Sequence, residues 1–281
     1  MTKGNILITG ASTGIGLACT EKFIDEGYTV YGSLRKQSDA DRLSQEHGEH
    51  FRPLLFDVTD QDAITSEANK LTNELDGEGL KLLINNAGIA VTGPVELLDV
   101  DAFRKQYEVN LFGLIAVTKA FLPLLGAIED CRFEPGKIIN MSSIASKRAM
   151  PFMTPYSSSK AAVDSFTEGL RRELLIYGID AVTINPGPIA TPIWGKIVLN
   201  TGDDVPEVYR KILKRLMKLV DKESKDAIHA NNFADRVFKT FQTHRPKTSD
   251  VVIKKKFFKY SLLNMIPVRV IDGFIKKMLK I

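Results

Sequence analysis

Short apolar runs alternate with amphipathic stretches over residues 6–185. Six runs have the length of buried strands, at residues 6–9, 28–34, 54–57, 80–86, 137–142 and 179–185. Four stretches have helical periodicity, at residues 14–26, 63–75, 101–125 and 155–177. Strands separated by helices at this spacing predict βαβ units and a parallel sheet. The strands are apolar almost throughout, as expected when helices cover both faces of the sheet, so the pattern predicts the α/β class.

The alternation stops after Asn185. Residues 206–220 predict a further helix, residues 251–253 predict a last strand, and Pro267 begins a short helix. The apolar face of the first helix consists of Val208, Ile212, Leu216 and Leu219, and that of the second of Val270, Ile271, Phe274, Ile275, Met278 and Leu279. No repeat or linker marks a boundary, so we expect one domain over residues 1–281.

Composition places the chain among ordinary globular proteins. Of its 281 residues, 44% are hydrophobic and 26% are charged, which excludes a collagen-like or disordered chain. Its two cysteines, Cys19 and Cys131, are too few for a disulfide framework, so we expect a reducing, cytoplasmic compartment. No apolar run approaches the ~18 residues of a membrane span. Residues 5–9 are apolar but lead into a glycine-rich loop, and they predict a strand rather than a signal peptide.

That loop, Thr9-Gly-Ala-Ser-Thr-Gly-Ile-Gly16, separates the first predicted strand from the first predicted helix. Glycine adopts turn conformations closed to other residues and lets a phosphate approach the backbone. The start of a helix adds free N–H groups and a partial positive charge. A tight turn without a ligand is the alternative, but the strand before and the helix after favour a dinucleotide site. Its predicted contacts are Gly10, Ser12, Thr13, Gly14, Ile15 and Gly16.

The spacing Gly-x-x-x-Gly-x-Gly resembles the loop of the short-chain dehydrogenase/reductase family. Further motifs follow in the family's order: Asn85-Asn-Ala-Gly88, Asn110, Ser143, Tyr156 and Lys160, and Pro186-Gly187. The resemblance covers roughly residues 4–192. It implies a Rossmann-like, doubly wound parallel sheet of about seven strands in the order 3-2-1-4-5-6-7, with helices on both faces. It also implies a homodimer or a homotetramer.

Tyr156 and Lys160 are four residues apart on a predicted helix and therefore share one face. A phenol has a pKa near ~10, and a neighbouring ammonium group stabilises the phenolate and lowers that pKa. We therefore expect Tyr156 to be the general acid/base for an alcohol or carbonyl oxygen. The resemblance implies that Ser143 binds the same oxygen, that Lys160 also holds the nicotinamide ribose, and that Asn110 anchors a water beside Lys160.

The resemblance assigns further cofactor contacts outside the glycine loop. They are Asp57 and Val58 at the adenine, Asn86 on the adenosine side, Ile189 and Thr191 at the carboxamide and pyrophosphate, and Gly88, Pro186 and Gly187 in the matching motifs. For Asp57, a helix cap over residues 59–63 is the alternative role, and the two roles are compatible.

The end of the second predicted strand bears on the choice between NADP(H) and NAD(H). An enzyme that uses NAD places an Asp there to bind both ribose hydroxyls. Here Leu34 holds that position and Arg35 and Lys36 follow it. Because a guanidinium group binds phosphate in bidentate fashion, we predict NADP(H), with Arg35 at the 2′-phosphate. The Ser12-Thr13 pair provides no cation in the glycine loop, so NAD(H) stays open as the alternative.

Residues 192–230 lie where the family places its substrate-covering helices. Ile193, Trp194, Ile197 and the apolar face of residues 206–220 would line a lipophilic pocket there. Residues 93–96 and 108–113 resemble the retinol- and steroid-dehydrogenase branch of the family, which implies a bulky apolar alcohol or ketone as substrate. His47 and His50 have no suitable partner ligands, so we expect no metal site.

Charge is distributed unevenly along the chain. Residues 1–205 hold 19 Lys and Arg against 27 Asp and Glu, a net charge of −8, whereas residues 206–281 hold 19 against 7, a net charge of +12. In the basic extension, residues 254–281, lysines and aromatics adjoin an amphipathic helix. It is either a contact with an anionic membrane surface or a helix packed on the body or on a second subunit, and we favour packing. Without a recognisable nucleic-acid-binding motif, we expect no nucleic-acid partner.

The sequence thus predicts an enzyme that transfers hydride between NADP(H) and a secondary alcohol or ketone. The alternative is an NADP-binding regulator or scaffold without activity, because a fold does not guarantee a function. The complete set of Ser143, Tyr156 and Lys160 argues against that alternative, since a regulator needs no acid/base residue.

Overall fold

A parallel sheet of seven strands forms the centre of the computed structural model, which describes residues 2–192, 205–255, 260–262 and 265–280. Its order is β3-β2-β1-β4-β5-β6-β9. The strands are β1 (Asn5–Thr9), β2 (Thr29–Leu34), β3 (Phe51–Leu55), β4 (Leu80–Asn85), β5 (Lys137–Met141), β6 (Asp180–Pro186) and β9 (Ser249–Val252). A separate parallel pair consists of β7 (Ile189–Ala190) and β8 (Ile228–His229). The predicted sheet and its order are confirmed.

Helices pack on both faces of the sheet. One face carries α1 (Gly14–Asp25), α2 (Gln37–His47) and α8 (Ala230–Gln242), and the other carries α3 (Gln61–Leu75), α5 (Gly113–Phe121) and α6 (Thr154–Glu173). Strand β1 shows why both faces need cover: Ile6 and Ile8 are buried in one hydrophobic cluster and Leu7 is buried in the other. Successive side chains of a strand point to opposite faces, so a strand that is apolar throughout must be covered twice.

Three further elements lie outside these two layers. Helix α4 (Val100–Tyr107) leads into α5, while α7 (Glu207–Lys225) and α9 (Val268–Leu279) form a small cluster of their own. That cluster contains Ile212, Leu213 and Leu216 of α7 and Leu279 of α9. Val208 was expected on the buried face of α7 but is exposed, because the helix turns Leu213 inward instead.

The structure corrects several boundaries. The third strand is Phe51–Leu55 rather than 54–57, and the sequence analysis predicted neither α2 nor α8. Strand β3 lies at the edge of the sheet, where Pro53 is tolerated and where only Phe51 and Leu54 are buried, so its apolar pattern is short. Helix α2 buries only Ala40 and Leu43, which is too few apolar positions to show a helical period.

Two predicted helices are also interrupted. The stretch at 101–125 is divided into α4, a π-helical turn (Glu108–Phe112), α5 and a 3₁₀ turn (Pro123–Leu125). The stretch at 155–177 consists of α6 and a 3₁₀ turn (Leu174–Tyr177). None of the helices in the described part of the chain is both long enough and apolar enough to cross a membrane.

The chain order of the strands reverses between β1 and β4, which are neighbours in the sheet. Loops that leave adjacent parallel strands on opposite sides open a crevice at the carboxyl ends of those strands, where ligands of such sheets bind. The glycine-rich loop follows β1 and the residues Asn86–Gly88 follow β4, so the fold brings both predicted motifs to this crevice.

Candidate active site

Thr9 and Asn86 join the loops that follow β1 and β4. The Thr9 hydroxyl oxygen accepts hydrogen bonds from the backbone N–H groups of Asn86 (2.9 Å) and Ala87 (3.0 Å). In return, the Asn86 side-chain amide donates to the carbonyl oxygens of Thr9 (3.0 Å) and Gly10 (3.2 Å). Asn86 therefore fixes the shape of the glycine-rich loop, in addition to the adenosine contact predicted for it.

The glycines of this loop leave no room for side chains. Gly10 and Gly14 have φ values of +66° and +60°, a region that favours glycine. A Cβ atom on Gly16 would lie 2.1 Å from the Gly10 carbonyl oxygen. The Thr13 side chain does not cap α1, so it satisfies none of the backbone N–H groups of the first turn. The loop and this helix start form a cradle that fits a pyrophosphate.

The turn after β6 closes the cradle from the other side. A Cβ atom on Gly14 would lie 3.2 Å from the Cβ atom of Thr191, so Thr191 borders the glycine-rich loop. Ile189 is buried in the short strand β7, and the N–H of Gly187 donates to the Val252 carbonyl at 2.8 Å. Residues 193–204, which include the predicted pocket residues Ile193, Trp194 and Ile197, lie outside the described residues.

The end of β2 carries cations beside the adenosine side of the crevice. Leu34 is buried, whereas the Arg35 side chain is 71% exposed and lies 3.7 Å from the Asp57 carboxylate. Burial works to raise the pKa of Asp57, but hydrogen bonds from Thr59 and the charge of Arg35 outweigh it, and that pKa lies below its usual range. Asp57 caps the turn at Thr59, whereas the cap of α3 is Asp60, which accepts from the N–H of Ala63.

The sequence analysis missed one basic residue near the loop. Arg42 of α2 donates a hydrogen bond of 3.2 Å to the carbonyl oxygen of Ser12, inside the glycine-rich loop. Ser12 and Thr13 supply no positive charge themselves, and the neighbouring helix brings one to the same place. Arg42 was missed because α2 was not predicted, so nothing indicated that this helix folds back onto the loop.

Ser143, Tyr156 and Lys160 meet at the carboxyl end of β5. Ser143 follows the strand and Tyr156 and Lys160 lie on the first two turns of α6, where the Tyr156 hydroxyl is hydrogen bonded to the Ser143 side chain. Burial raises the pKa of Tyr156, and the Ser143 hydrogen bond opposes that rise. The sequence analysis expected Lys160 to lower this pKa. In the structure the Lys160 ammonium lies 6.0 Å from the Tyr156 ring centroid and bonds to a backbone carbonyl instead, and burial prevails.

Lys160 is almost completely buried, with a residue exposure of 5%. Its ammonium donates a hydrogen bond of 2.7 Å to the carbonyl oxygen of Met141. Burial lowers the pKa of Lys160 to about 8, and the negative charge of Asp164 opposes this shift. A Cβ atom on Gly88 would lie 3.6 Å from the ammonium nitrogen and 3.2 Å from the Asn110 side-chain oxygen. Gly88 therefore keeps the space beside Lys160 and Asn110 open.

Asn110 lies in the π-helical turn between α4 and α5, and its side chain is fully engaged with protein atoms. Its oxygen accepts from the N–H of Ile89 (2.8 Å), and its amide donates to the Ile89 carbonyl (3.1 Å) and to the Ser159 hydroxyl (3.2 Å). Gln106, which the sequence analysis missed, accepts from the N–H of Val91 at 2.6 Å and donates to the Ile89 carbonyl at 2.9 Å. These two amides fix the loop after β4, and Asn110 also joins it to α6 through Ser159.

Asp164 is a further residue that the sequence analysis missed, and it supports the segment that carries Ser143. Asp164 lies four residues beyond Lys160 and accepts from the Ser146 hydroxyl (2.6 Å), the Asn185 amide (3.0 Å) and the Lys147 ammonium (2.7 Å). Ser146 Oγ also lies 2.7 Å from the Ser143 carbonyl oxygen, to which the Asn185 amide donates at 3.3 Å. The spacing Tyr156, Lys160, Asp164 on one helix face was a signal that could have identified Asp164.

Comparison with known proteins agrees with this geometry. Residues 4–201 match the family described as short chain dehydrogenase. The chain is 38% identical over 274 residues to the NADPH-dependent 3-dehydrocapnine reductase of Ornithobacterium rhinotracheale, covering 98% of this chain and 96% of the relative. It is 38% identical over 192 residues to dehydrogenase/reductase SDR family member 9 of Bos taurus, covering 68% and 58% of the two chains.

Among solved structures, a short-chain dehydrogenase from Streptomyces avermitilis has a similar fold, with a TM-score of 0.80 at 24% identity, covering 100% of this chain and 98% of that one. The resemblance seen in the motifs is thereby confirmed, and the chain is an oxidoreductase that belongs to the short-chain dehydrogenase family.

Proposed function

We propose that the protein reduces a ketone or aldehyde to an alcohol with NADPH as the hydride donor. The observation that carries this proposal is the meeting of Ser143, Tyr156 and Lys160 beside the cradle formed by the loops after β1 and β4. The bound cofactor would supply the hydride. Ser143 and Tyr156 would hydrogen bond to the substrate oxygen, and Tyr156 would give it a proton.

We propose reduction as the direction, and the protonation state of Tyr156 is compatible with it. A buried phenol with a raised pKa keeps its proton, and proton donation to a carbonyl oxygen requires the neutral form. The relative from Ornithobacterium rhinotracheale is named a reductase, in agreement with this direction.

The preference for NADP(H) rests on Arg35 and Arg42. Arg35 is exposed at the end of β2, where an Asp would repel a 2′-phosphate, and Arg42 contacts the glycine-rich loop. The name of the 3-dehydrocapnine reductase specifies NADPH, and a neighbouring solved structure, a serine dehydrogenase, is complexed with NADP+. NAD(H) is the alternative cofactor.

The contact between α7 and the segment just before Tyr156, which we call the cap of the site, favours a lipophilic substrate. Phe152, four residues before Tyr156, packs edge-to-face on Tyr209 of α7 with 6.1 Å between the ring centroids. The Tyr209 hydroxyl donates to Glu96 at 2.5 Å, which ties α7 to the loop after β4. Phe152 and Tyr209 both pack against the apolar cluster that Leu213 and Leu216 of α7 form with Leu279 of α9. A bulky apolar carbonyl compound, as in the retinol- and steroid-dehydrogenase branch, fits beside these two aromatic rings better than a charged one.

A panel of carbonyl compounds tests this proposal. NADPH oxidation is followed at the nicotinamide absorbance with small diketones, steroid ketones, retinal and 3-dehydrocapnine, and NADH is run in parallel. The proposal predicts turnover on a lipophilic class and a higher kcat/KM with NADPH than with NADH. Turnover restricted to small polar ketones would contradict the substrate class, and equal use of both cofactors would contradict the assignment of Arg35.

A regulator or scaffold that binds NADP without turnover is the second candidate. The buried Tyr156 hydroxyl, which is hydrogen bonded to Ser143, argues against it, since a protein that only binds the cofactor needs no acid/base group. Tight NADPH binding without turnover on any compound of the panel would favour this candidate over the enzyme.

Two further proposals concern where and how the chain works. Self-association into a dimer or tetramer would cover Val100 and Phe112, which are exposed around the junction of α4 and α5, and light scattering on wild type and Phe112→Asp tests it. A reducing, cytoplasmic compartment suits Cys19 and Cys131, which are both free thiols, and burial raises the pKa of Cys19 to about 12.

A further inference from the structure

Among the described residues, helix α9 packs on the rest of the protein through one flank. Leu279 is fully buried in the cluster with Leu213 and Leu216 of α7, and Ile275 packs at its edge. Arg215 of α7 donates a hydrogen bond of 2.7 Å to the carbonyl oxygen of Leu279. This flank agrees with the packing of the extension on the body that was expected from the sequence.

The other flank of α9 is apolar and faces solvent. Val270, Phe274 and Met278 follow each other at intervals of four residues, and their exposures are 48%, 61% and 41%. Before the helix, Met265 and Val268 are exposed as well. A stripe of large exposed apolar side chains on one element marks an interaction surface rather than the scattered exposure of an ordinary helix. We call Val270, Phe274 and Met278 the open stripe.

Charge identifies the kind of partner. Helix α9 and its C-cap carry Arg269, Lys276, Lys277 and Lys280 against one carboxylate, Asp272. Lys277 is three residues from Phe274, which places it beside the open stripe. Residues 206–281 as a whole have a net charge of +12. In a two-fold contact between copies this cationic face would meet itself and repel, whereas an anionic lipid surface complements both the cations and the apolar stripe.

We propose that the open stripe of α9 docks the enzyme on an anionic lipid bilayer, with the stripe among the acyl chains and the lysines at the headgroups. Helix α9 is fixed to α7, and α7 reaches the loop before Tyr156 through the contact between Tyr209 and Phe152. Docking therefore places the cap of the site at the lipid surface, where a lipophilic carbonyl substrate is concentrated. The docking itself is independent of the reaction, but this delivery of substrate rests on the proposed function.

Co-sedimentation of the full chain with vesicles tests the docking. We expect binding to vesicles of phosphatidylcholine and phosphatidylglycerol, weaker binding to phosphatidylcholine alone, and loss of binding as the ionic strength rises from about 0.05 to 0.5 M. The double variant Val270→Ser/Phe274→Ser should lower the partition coefficient by about tenfold or more. Lys276→Gln/Lys277→Gln should lower it for the anionic vesicles only.

Matched controls separate docking from general stickiness. Ile176→Ser changes an apolar residue that is more exposed (81%) than Phe274 (61%), and Lys70→Gln/Lys81→Gln removes two exposed lysines from the acidic part of the chain. Both controls should bind vesicles like the wild type. Absence of vesicle binding, or equal losses in the controls, would overturn the proposal. Self-association that the stripe variant abolishes, without vesicle binding, would also overturn it, because the stripe would then be a contact between copies.

Turnover distinguishes failure of docking from failure of the proposed function. With a lipophilic ketone carried in anionic vesicles, Val270→Ser/Phe274→Ser should raise KM several-fold and leave kcat unchanged, while a water-soluble ketone should show no change in either. Vesicle binding without turnover of any carbonyl compound would contradict the proposed function but support the docking. If Val270→Ser/Phe274→Ser had the same effect on turnover of the vesicle-borne ketone and of the water-soluble ketone, the proposed delivery of substrate from the bilayer would be wrong.

Discussion

The ammonium group of Lys160 donates a hydrogen bond of 2.7 Å to the carbonyl oxygen of Met141, the last residue of β5. This contact fixes the catalytic helix α6 to the end of the strand that precedes Ser143. It also keeps the ammonium 6.0 Å from the centre of the Tyr156 ring, in a buried place where a charge is costly. Burial lowers the pKa of Lys160 to about 8 as a result.

Asp164 should set the pH above which activity falls. Its negative charge stabilises the Lys160 ammonium, so Asp164→Asn should lower the pKa of Lys160. We expect the reaction to need the protonated lysine, so kcat/KM of the wild type should fall above about pH 8. In Asp164→Asn this alkaline limb of the pH profile should lie about one pH unit lower. The pH profile of carbonyl reduction by NADPH measures this shift.

Ser146→Ala is the matched control for that experiment. It removes the 2.6 Å hydrogen bond to Asp164 but leaves the carboxylate charge in place. Its pH profile should keep the wild-type limb even if kcat decreases. An unchanged limb in Asp164→Asn, or the same shift in both variants, would show that the charge of Asp164 does not act through Lys160.

Arg35 should discriminate between the two nicotinamide cofactors. Its exposed guanidinium at the end of β2 is the group placed to bind a 2′-phosphate, so Arg35→Ala should raise KM for NADPH by about tenfold or more and leave KM for NADH within about twofold. Arg104→Ala removes an equally exposed arginine that is also paired with an aspartate, and it should change neither. Equal increases for both cofactors would contradict the assignment of Arg35.

Gly16 should be indispensable for the cofactor cradle. Gly16→Ala puts a methyl group 2.1 Å from the Gly10 carbonyl oxygen, so the loop must move, at a cost of about 1–3 kcal/mol in stability. We expect a lower melting temperature and at least about tenfold weaker NADPH binding, measured by thermal unfolding and by fluorescence titration.

Gly169→Ala offers the contrasting case. A Cβ atom at this position of α6 has nothing within 4 Å, and alanine favours a helix over glycine by about 0.5–1 kcal/mol. This variant should melt at a slightly higher temperature and bind NADPH like the wild type. If Gly16→Ala behaved in the same way, the loop would not be the close-fitting cradle that the structure shows.

The sheet, and the placement of Tyr156 and Lys160 on one helix face, were predictable because their signals are local. The apolar strands needed only a period along the chain, and Tyr156 and Lys160 needed only the four-residue repeat of a helix. Residues that act across elements gave weaker signals. Arg42 and Gln106 are ordinary polar helix residues in the sequence, and they gain a role because their helices return to loops far away in the chain.

The direction in which the pKa of Tyr156 shifts could not be predicted from spacing alone. The four-residue repeat places Tyr156 and Lys160 on one face, but it does not say that the ammonium turns to the Met141 carbonyl or that burial dominates the phenol. The same holds for α9. Periodicity identified one broad apolar side, and only the packing on α7 shows that Leu279 is buried while Phe274 is open.

The role of Tyr156 as the proton donor is the central claim, and Tyr156→Phe tests it most directly. The measurement is kcat for NADPH-dependent reduction of the best carbonyl substrate, together with the dissociation constant of NADPH, in wild type and variant. Because the phenylalanine keeps the ring and loses only the hydroxyl, we predict that kcat falls by about 10²–10⁴ while NADPH binding is unchanged. Undiminished turnover in Tyr156→Phe would contradict the account.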